Sequence, residues 1–462
     1  MEVPELQQIN EENFAAIVNT IQKEKENIDV KSFLEQLDPK KHKVHSPTER
    51  PDKIKKDKGG RESPVKVARL SIPLQKLIVS RAAAFLCGNP IQLFAQPTLP
   101  IEDDFLSIIK KVWDDNKLDY KSMALAEMMM SETECAELWY TQPAEKEYWA
   151  GTSSEGSKQK LRLRILAKSL GDDLYPVFDA AGDMIGFGRG YKVKVGDQNV
   201  EHFDLYQPEK TIKGTKSDVG WVLAQEPNPS GKIPVIYYHQ PLPEWSDVQE
   251  MIERLETVIS NHADTNDYFG SPMVFISGEI AGFADKGESG KVVQGKNGAT
   301  AEYLTWDQSP ESVKLEIENL LQFIFDTTDT PKISLQEMKS LGTFSGIALK
   351  MLFLGAHLKS ARKEGIFGEG IQRRINYLKA ALAKINNKFE SAQRLMISPK
   401  FEYYLPKNEQ EAIDILSTAI GGGKAIMSQD SAIAQNPLVQ DVEAEKKKMI
   451  EEGSYGADIE TA

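Results

Sequence analysis

The first regular part of the chain has apolar residues at helical spacing. Between residues 65 and 90 they recur every three or four positions, and Gly88-Asn89-Pro90 ends the predicted helix. Two further helices are predicted over about 101–116 and 118–132. The second of these is rich in methionine, which fills irregular cores well. The stripes of the first two helices are formed by Leu74, Leu77, Ile78, Ala82, Phe85, Phe105, Ile108, Ile109 and Trp113.

The period changes to two between Glu137 and Gln240. Apolar and polar residues alternate there around glycine and proline breaks, as in LRLRILA and KIPVIYYHQ. We predict four to seven antiparallel strands in this part of the chain. The glycines of the sequence GFGRG, residues 186–190, lie inside this strand region and open no helix, so they do not have the context of a dinucleotide-binding loop.

Two long amphipathic helices follow, separated by a strand-rich insertion. The first is predicted over 246–267, with Ser246 as its N-cap, and the second over 309–327, where Ser309 and Pro310 favour a helix start. The residues between them, 268–308, combine strand-like runs with glycine-rich turns. We therefore predict two antiparallel rods that carry a small β insertion at their tip.

A loop and the longest helical stretch of the chain come next. Residues 328–345 are broken by proline and glycine, so neither rod can continue through them. From Gly346 onward the pattern is helical for about 40 residues. Because glycine weakens a helix interior, the four glycines within this stretch predict a kink or a tight packing contact. They are Gly355, Gly365, Gly368 and Gly370.

Charge is distributed unevenly along the chain. The formal net charge of −13 argues against a protein that holds nucleic acid tightly on a basic surface. Residues 246–330 contain 16 Asp and Glu against 5 Lys and Arg, whereas residues 331–390 contain 11 Lys and Arg against 4 Asp and Glu. Composition alone favours two solvated surfaces of different sign. Residues 38–62 are charged and nearly free of large apolar side chains, which predicts a flexible basic arm.

The sequence contains no motif of enzyme or metal chemistry. Its three Gly-Lys pairs lack the upstream glycine and the following hydroxyl residue of a phosphate-binding loop. The two cysteines, Cys87 and Cys135, form neither a disulfide framework nor a zinc motif. His42 and His45 are spaced closely enough to share a metal, but in a flexible arm a chance spacing is the better interpretation. We predict no catalytic residue, no metal and no cofactor.

Several segments, in order along the chain, resemble the portal proteins of tailed bacteriophages, specifically the SPP1-type group. RLSIPLQKLIVSRAAAFLCGNP resembles an early helix of that family, and KIPVIYYHQ resembles the strand before its first stem helix. The segments FSGIALKMLF and KEGIFGEGIQRRI are similar to its tunnel loop and long kinked helix. The likeness covers about residues 65–450, and the pattern SGxAL is its sharpest element.

The resemblance implies an α+β fold, the portal fold, with a mixed α/β wing, a two-helix stem, a small α/β clip, a long kinked helix and a helical crown. Its parts here would be an N-terminal segment with a flexible basic arm (1–62), the wing (63–245), stem helices (246–267 and 309–327) flanking the clip (268–308), a tunnel loop (328–345), the long kinked helix and wing return (346–407), and the crown with a disordered C-terminal tail (408–462).

The implied function is that of a dodecameric ring at one capsid vertex, the channel through which double-stranded DNA is packaged and ejected without sequence-specific binding. Its expected partners are the terminase large subunit, a head-completion adaptor of the head–tail connector, and the major capsid and scaffolding proteins. The chain would be made in the host cytoplasm and end in the virion. No apolar run is long enough to cross a bilayer, and no secretory signal is expected from the acidic start.

In such a ring the tunnel loop would constrict the channel. Its lysines would touch phosphates, and its apolar residues would form a collar. The candidate DNA-facing residues are Lys332, Leu335, Gln336, Met338, Lys339 and Leu341.

The alternative is a minor capsid protein other than the portal, or a helical scaffold or interaction protein. Such a protein would share the amphipathic helices and the missing catalytic motifs. It would not need two rods around a β insertion, followed by a loop and a long kinked helix. That order of elements favours the portal interpretation.

Overall fold

The structure is a computed structural model of the chain. It describes residues 9–25, 28–56, 59–269, 273–283, 293–304, 310–332, 351, 353–403, 409–421, 425–436, 438–439 and 441–455. These residues form helices and several small antiparallel sheets, which confirms the α+β fold class.

The helices, in chain order, are α1 (Glu11–Glu24), α2 (Val30–Leu37), α3 (Leu74–Cys87), α4 (Pro100–Asp115), α5 (Leu118–Glu132), α6 (Gln249–Phe269), α7 (Pro310–Thr327), α8 (Leu354–Ile385), α9 (Glu409–Gly421), α10 (Gln429–Gln435) and α11 (Val442–Glu451). The strands are β1 (Lys53–Lys56), β2 (Glu62–Val65), β3 (Gln92–Ala95), β4 (Glu134–Pro143), β5 (Gln159–Leu166), β6 (Asp172–Phe178), β7 (Met184–Val195), β8 (Gln198–Tyr206), β9 (Lys210–Ser217), β10 (Gly220–Pro227), β11 (Val235–His239), β12 (Met273–Phe283), β13 (Val293–Leu304) and β14 (Ile397–Lys400).

The main hydrophobic core is shared by α3, α4, α5, the second half of α8, and strands β4, β5 and β11. The predicted stripe of α4 is buried in this core, with Phe105 stacked on Phe389 at 4.9 Å between ring centroids. Met129 and Met130 of α5 are also buried there, as expected for a methionine cluster that fills a core.

Eight strands lie between residues 134 and 239, all of which the structure describes, against the four to seven predicted. They form a three-stranded sheet in the order β11-β4-β5 and a five-stranded sheet in the order β10-β9-β8-β7-β6, with every neighbouring pair antiparallel. The two-residue connection Gly196-Asp197 turns β7 back into β8, and Gly196 has a φ of 63°. Such tight turns divide runs that look continuous in the sequence.

The GFGRG sequence lies within β7, as its context predicted. A Cβ atom on Gly188 would stand 2.6 Å from the ring of Phe203, and one on Gly190 would stand 3.3 Å from the ring of Tyr175. These glycines therefore make room for aromatic side chains on the sheet. On that same face lies α1, whose buried Phe14 contacts Phe203 edge-on at 6.2 Å.

Helices α6 and α7 are the two rods, and strands β12 and β13 pair antiparallel between them. Residues 246–248 form a 3-10 turn, so the α-helix starts at Gln249 instead of Ser246. Arg254 of α6 pairs with Glu316 of α7 at 2.7 Å. Ile252 and Ile324 are buried in the main core, which therefore holds one side of each rod.

The segment predicted as a flexible basic arm contains ordered structure among its described residues. Two 3-10 turns cover Pro39–Lys41 and Lys43–His45, and β1 pairs with β2. All residues of both strands are exposed. Alternation of apolar and polar residues cannot reveal strands that are exposed on both faces, so composition alone indicated a loop.

The long helix α8 is tied to the three-stranded sheet by a buried ion pair. Arg374 and Glu137 have no exposed side-chain area, and the Arg374 Nε donates to both carboxylate oxygens at 2.9 and 3.0 Å. Tyr238 Oη and Trp139 Nε1 also donate to Glu137, at 2.6 and 2.9 Å. These donors compensate for the desolvation of the Glu137 carboxylate. Without them, a buried charge at this position would strongly destabilise the fold.

Candidate functional site

The segment predicted to face DNA is described only at its start. Lys332 is exposed at the last described position before a gap at 333–350. The other candidates, Leu335, Gln336, Met338, Lys339 and Leu341, lie outside the described residues. The predicted DNA-facing set therefore stays a prediction beyond Lys332. What the structure does define is the loop base, residues Thr328–Lys332, and the elements that hold it.

The loop base begins as a closed turn at the end of α7. The Thr330 amide donates to the carbonyl of Phe325 at 2.9 Å, and the Thr328 hydroxyl donates to the carbonyl of Ile324 at 2.7 Å. Thr328 and Thr330 are buried, and their hydroxyl oxygens are 2.8 Å apart. Between them Asp329 has a φ of 49°, in the left-handed region that stops a helix.

Cations from two other helices hold this turn. Arg81 of α3 donates to the carbonyl of Pro331, and its guanidinium lies 5.9 Å from the ring centroid of Phe325. From α8, the Lys359 ammonium donates to the carbonyl of Thr328 at 2.8 Å, and Arg362 lies 4.0 Å from the carboxylate of Asp329. The carbonyls at a helix C-terminus carry partial negative charge, so cations are favoured at this position.

The same stretch of α8 is bonded to the residues that precede α6. Glu244 is almost fully buried and pairs with Lys359 at 2.8 Å and also with Lys363. Burial opposes the charge of Glu244, but the two ammonium groups outweigh it and hold the pKa of this carboxyl below its usual value. Lys359 thus joins the start of one rod to the end of the other.

The far end of the undescribed segment is also anchored. Phe353, immediately before α8, is buried against Phe85 of α3 with ring centroids 5.6 Å apart. The described residues on the two sides of this segment, Pro331 and Phe353, therefore both contact α3, a helix of the main core.

The solvent-facing surface of the rods is acidic. Over residues 246–269 and 310–327, the exposed basic residues are Arg254 and Lys314. The exposed acids are Asp247, Glu250, Asp267, Glu311, Glu318 and Asp326. An acidic surface repels the phosphate backbone, so DNA beside it would be held weakly.

A buried acid of α6, Glu256, pairs with a histidine of the N-terminal segment. His42 is buried between the Glu256 carboxylate, 2.6 Å from its Nδ1, and the Gln36 carbonyl, 2.8 Å from its Nε2. Burial opposes protonation of His42, but Glu256 outweighs it, and the pKa of the imidazole lies above its usual value. His45 contacts Ser71 instead, so the two histidines share no ligand. Sequence reasoning missed the role of His42 because Glu256 is far away along the chain.

A cleft of about 1090 Å³ is lined by strands of the three-stranded and five-stranded sheets and by the end of α8, and the buried Arg189 at its wall pairs with acids of the sheet. Arg189 Nε donates to Asp172 at 2.7 Å, and Asp204 lies 4.0 Å from the same guanidinium. Within the described ranges, His, Cys, Asp and Glu form no group of three or more that could hold a metal ion. Among the described helices, none has the length and apolar character needed to cross a membrane.

A model of a known protein family matches most of the chain. The family described as phage portal protein, SPP1 Gp6-like, matches residues 13–457. No curated protein matches the sequence. Because the family match covers nearly the whole chain, the protein belongs to the phage portal family, whose role is to form the channel for packaging the viral genome.

Proposed function

We propose that copies of this chain form a closed ring in which α6 and α7 line the channel and residues 328–345 form its constriction. The observation that carries this proposal is the loop base. Arg81 and Lys359 hold the end of α7 from two core helices, while Glu244 joins the start of α6 to the same lysine. A loop that bears on moving DNA needs such a rigid support, because force on it would otherwise distort the rods.

The acidic surface of the rods supports a channel through which DNA slides without being gripped. Lys332, together with Lys339 of the undescribed segment, would supply a narrow positive belt next to this surface. Contacts of lysine with phosphate position DNA but do not distinguish sequences. The apolar candidates Leu335, Met338 and Leu341, with Gln336 between them, would complete the constriction.

The experiment is a double charge reversal, Lys332→Glu with Lys339→Glu, in particles that assemble normally. We expect reduced DNA packaging or retention, because the belt then repels phosphate. The matched control is Lys388→Glu with Lys400→Glu, which changes the charge equally at exposed positions away from the loop base. Packaging at the unaltered level in assembled double-variant particles would rule out this role for the loop.

We further propose that the β12–β13 hairpin is the clip that docks the terminase large subunit and the head-completion adaptor. It connects the ends of the two rods opposite the loop base, so it would lie at one mouth of the channel. Deletion of 268–308 should abolish binding of both partners while the sheets remain folded. Retained binding of both partners by the deletion protein would refute this placement.

The portal family is structural, and we propose that this chain hydrolyses no nucleotide of its own. The Gly-Lys pair at 231–232 lies in a turn between β10 and β11 and is followed by Ile233, without the hydroxyl residue of a phosphate-binding loop. Homogeneous protein that turns over ATP steadily, with turnover abolished by one substitution in this chain, would overturn the proposal. The ring would be incorporated at the portal vertex beside the major capsid and scaffolding proteins.

A further inference from the structure

The hairpin β1–β2 is the part of the N-terminal segment to which no role has yet been given. We call residues 53–56 and 59–65 the basic ribbon. Every residue of its two strands is exposed, including Ile54 at 66% and Val65 at 43%. An isolated two-stranded hairpin is at best marginally stable in water, so an additional surface is expected to cover it.

The two faces of the basic ribbon differ in charge. Residues opposite each other in an antiparallel pair share a face. On one face Lys56 stands opposite Glu62 and pairs with it at 2.8 Å, next to Ile54 and Pro64.

On the other face, no acid of the ribbon stands opposite a lysine. There Lys53 stands opposite Val65, and Lys55 stands opposite Ser63. Lys53 approaches Asp264 only to 3.8 Å, and Lys55 pairs with no acid among the residues that the structure describes. This face therefore presents two lysines on β1 and, on β2, the apolar Val65 opposite Lys53, which fits a surface that combines acids with an apolar residue.

The base of the basic ribbon is fixed to α6. Arg50 donates to Asn261 at 2.7 Å and to Asp264 at 2.8 Å, and the Ala68 amide donates to Asp264 at 2.6 Å. Both ends of the hairpin are thus bonded to the same turn of the rod. The ribbon consequently leaves α6 at a fixed position along the axis of the helix.

The pair of Arg254 and Glu316 shows which residues of α6 and α7 lie side by side along the rods. The two rods are antiparallel and rise about 1.5 Å per residue. Asn261 and Asp264 lie roughly 10 and 15 Å beyond Arg254 along α6, and the same distances back from Glu316 reach and pass Pro310, the first residue of α7. The base of the basic ribbon is therefore level with the N-terminal end of α7.

The first turns of α7 expose a stripe that matches the basic face. Glu311, Leu315 and Glu318 are spaced at helical intervals, and all three are exposed, Leu315 at 58%. Lys314 lies 3.8 Å from Glu318, a loose exposed pair that contributes little. We call Glu311, Leu315 and Glu318 the α7 stripe. The two acids complement Lys53 and Lys55 in charge, and Leu315 is an apolar partner for Val65.

We propose that the basic ribbon of one copy docks on the α7 stripe of the neighbouring copy in the ring. This inference rests on the proposed function, because it requires copies related by a ring axis. Rotation about an axis parallel to the rods keeps every residue at its height, so a ribbon that leaves one copy level with α7 meets the neighbour's α7 at the same level. The exposed Val65 on the basic face favours a protein surface over DNA, whose phosphates offer an apolar side chain no partner.

Disulfide trapping in assembled rings tests the contact directly. The native thiols of Cys87 and Cys135 are buried, and burial raises the pKa of Cys87 to about 12, so they remain unreactive. Lys55→Cys combined with Glu318→Cys should give disulfide-linked chains of increasing mass under mild oxidation. Each single variant, and the control pair Lys194→Cys with Glu318→Cys, should give none. Linkage at the level of these controls in intact rings would overturn the inference.

Charge reversal provides a second, independent measurement. Lys53→Glu with Lys55→Glu should raise the subunit concentration for half-assembly about 10-fold at low salt, because like charges then face each other. Adding Glu311→Lys and Glu318→Lys to the same chain should restore assembly. If the lysine reversal leaves assembly unchanged but lowers DNA retention, the ribbon binds DNA and the inference is wrong. If the unaltered chain forms no ring, the proposed function is wrong. If it forms rings that show neither the linkage nor the loss of assembly, only the docking of the ribbon is wrong.

Discussion

Gly370 of α8 lies against the ring of Tyr238 of β11, so closely that a Cβ atom on the glycine would stand 2.1 Å from Cε1 of the tyrosine. The Tyr238 hydroxyl continues the contact by donating to Glu137, the partner of Arg374. The second half of α8 is thereby fixed to the three-stranded sheet. Its first half holds the loop base through Lys359. A rigid connection between the sheet and the loop base follows from these contacts.

Two glycines of α8 should therefore respond to alanine with opposite signs. Gly370→Ala should destabilise the protein by about 1–3 kcal/mol, because the new methyl group displaces the Tyr238 ring. Gly365 has no atom within 4 Å of a Cβ, so Gly365→Ala should stabilise the helix by about 0.5–1 kcal/mol. Thermal unfolding at equal subunit concentration measures both changes. Similar shifts for the two variants would show that the tight contact does not exist.

The turn at the loop base should become less stable when Lys359 of α8 is replaced. Lys359→Met removes the charged donor to the Thr328 carbonyl, and a hydrogen bond to a charged group contributes about 1.5–3 kcal/mol. We expect faster hydrogen exchange of the Thr328 and Thr330 amides, by at least about 10-fold.

Lys363→Met is the matched control for this experiment. It also removes one cation from Glu244 but makes no bond to the loop base. Its effect on the Thr328 and Thr330 amides should be small. If both variants accelerate exchange equally, Glu244 pairing and not the Thr328 bond stabilises the turn.

Stability should depend on pH through His42. Its pKa is raised above the usual 6.5 in the folded protein, mainly because Glu256 outweighs burial, with smaller contributions from the Gln36 carbonyl and Asp38. The stabilisation linked to its proton is therefore fully present below 6.5 and is lost as pH rises through the folded-state pKa. The melting temperature of the unaltered chain should fall over that window.

His42→Gln should flatten this part of the pH profile, since glutamine does not titrate. His45→Gln, a neighbouring histidine that contacts Ser71 and not Glu256, should keep the slope of the unaltered chain. An unchanged slope in the His42 variant would assign the pH dependence to other groups.

Local pattern predicted the elements well where one face is buried. The α4 stripe with Phe105 and Ile108, the two rods, and the strands between 134 and 239 all have one face against a core, which imposes a period on the sequence. The basic ribbon has no buried face, so its strands leave no period. The hydrogen bond from Arg81 to the Pro331 carbonyl joins residues too far apart along the chain for any local pattern to reveal.

The functional site shows the same division. Proline and glycine predict a loop at 328–345, of which the structure describes residues 328–332, and the charge change along the chain indicated the acidic rods. Pairings such as Glu137 with Arg374 or His42 with Glu256 depend on the tertiary fold alone. Sequence composition indicates that such charges exist but not which of them are buried together.

Assembly into a closed ring around a channel underlies every proposal made for this chain. Negative-stain microscopy of the purified protein, with native mass spectrometry of the same sample, measures that assembly. We predict rings with a central hole and one dominant mass of many copies, formed without nucleotide or metal. Only monomers or dimers, at micromolar concentration and across salt conditions, would contradict the account.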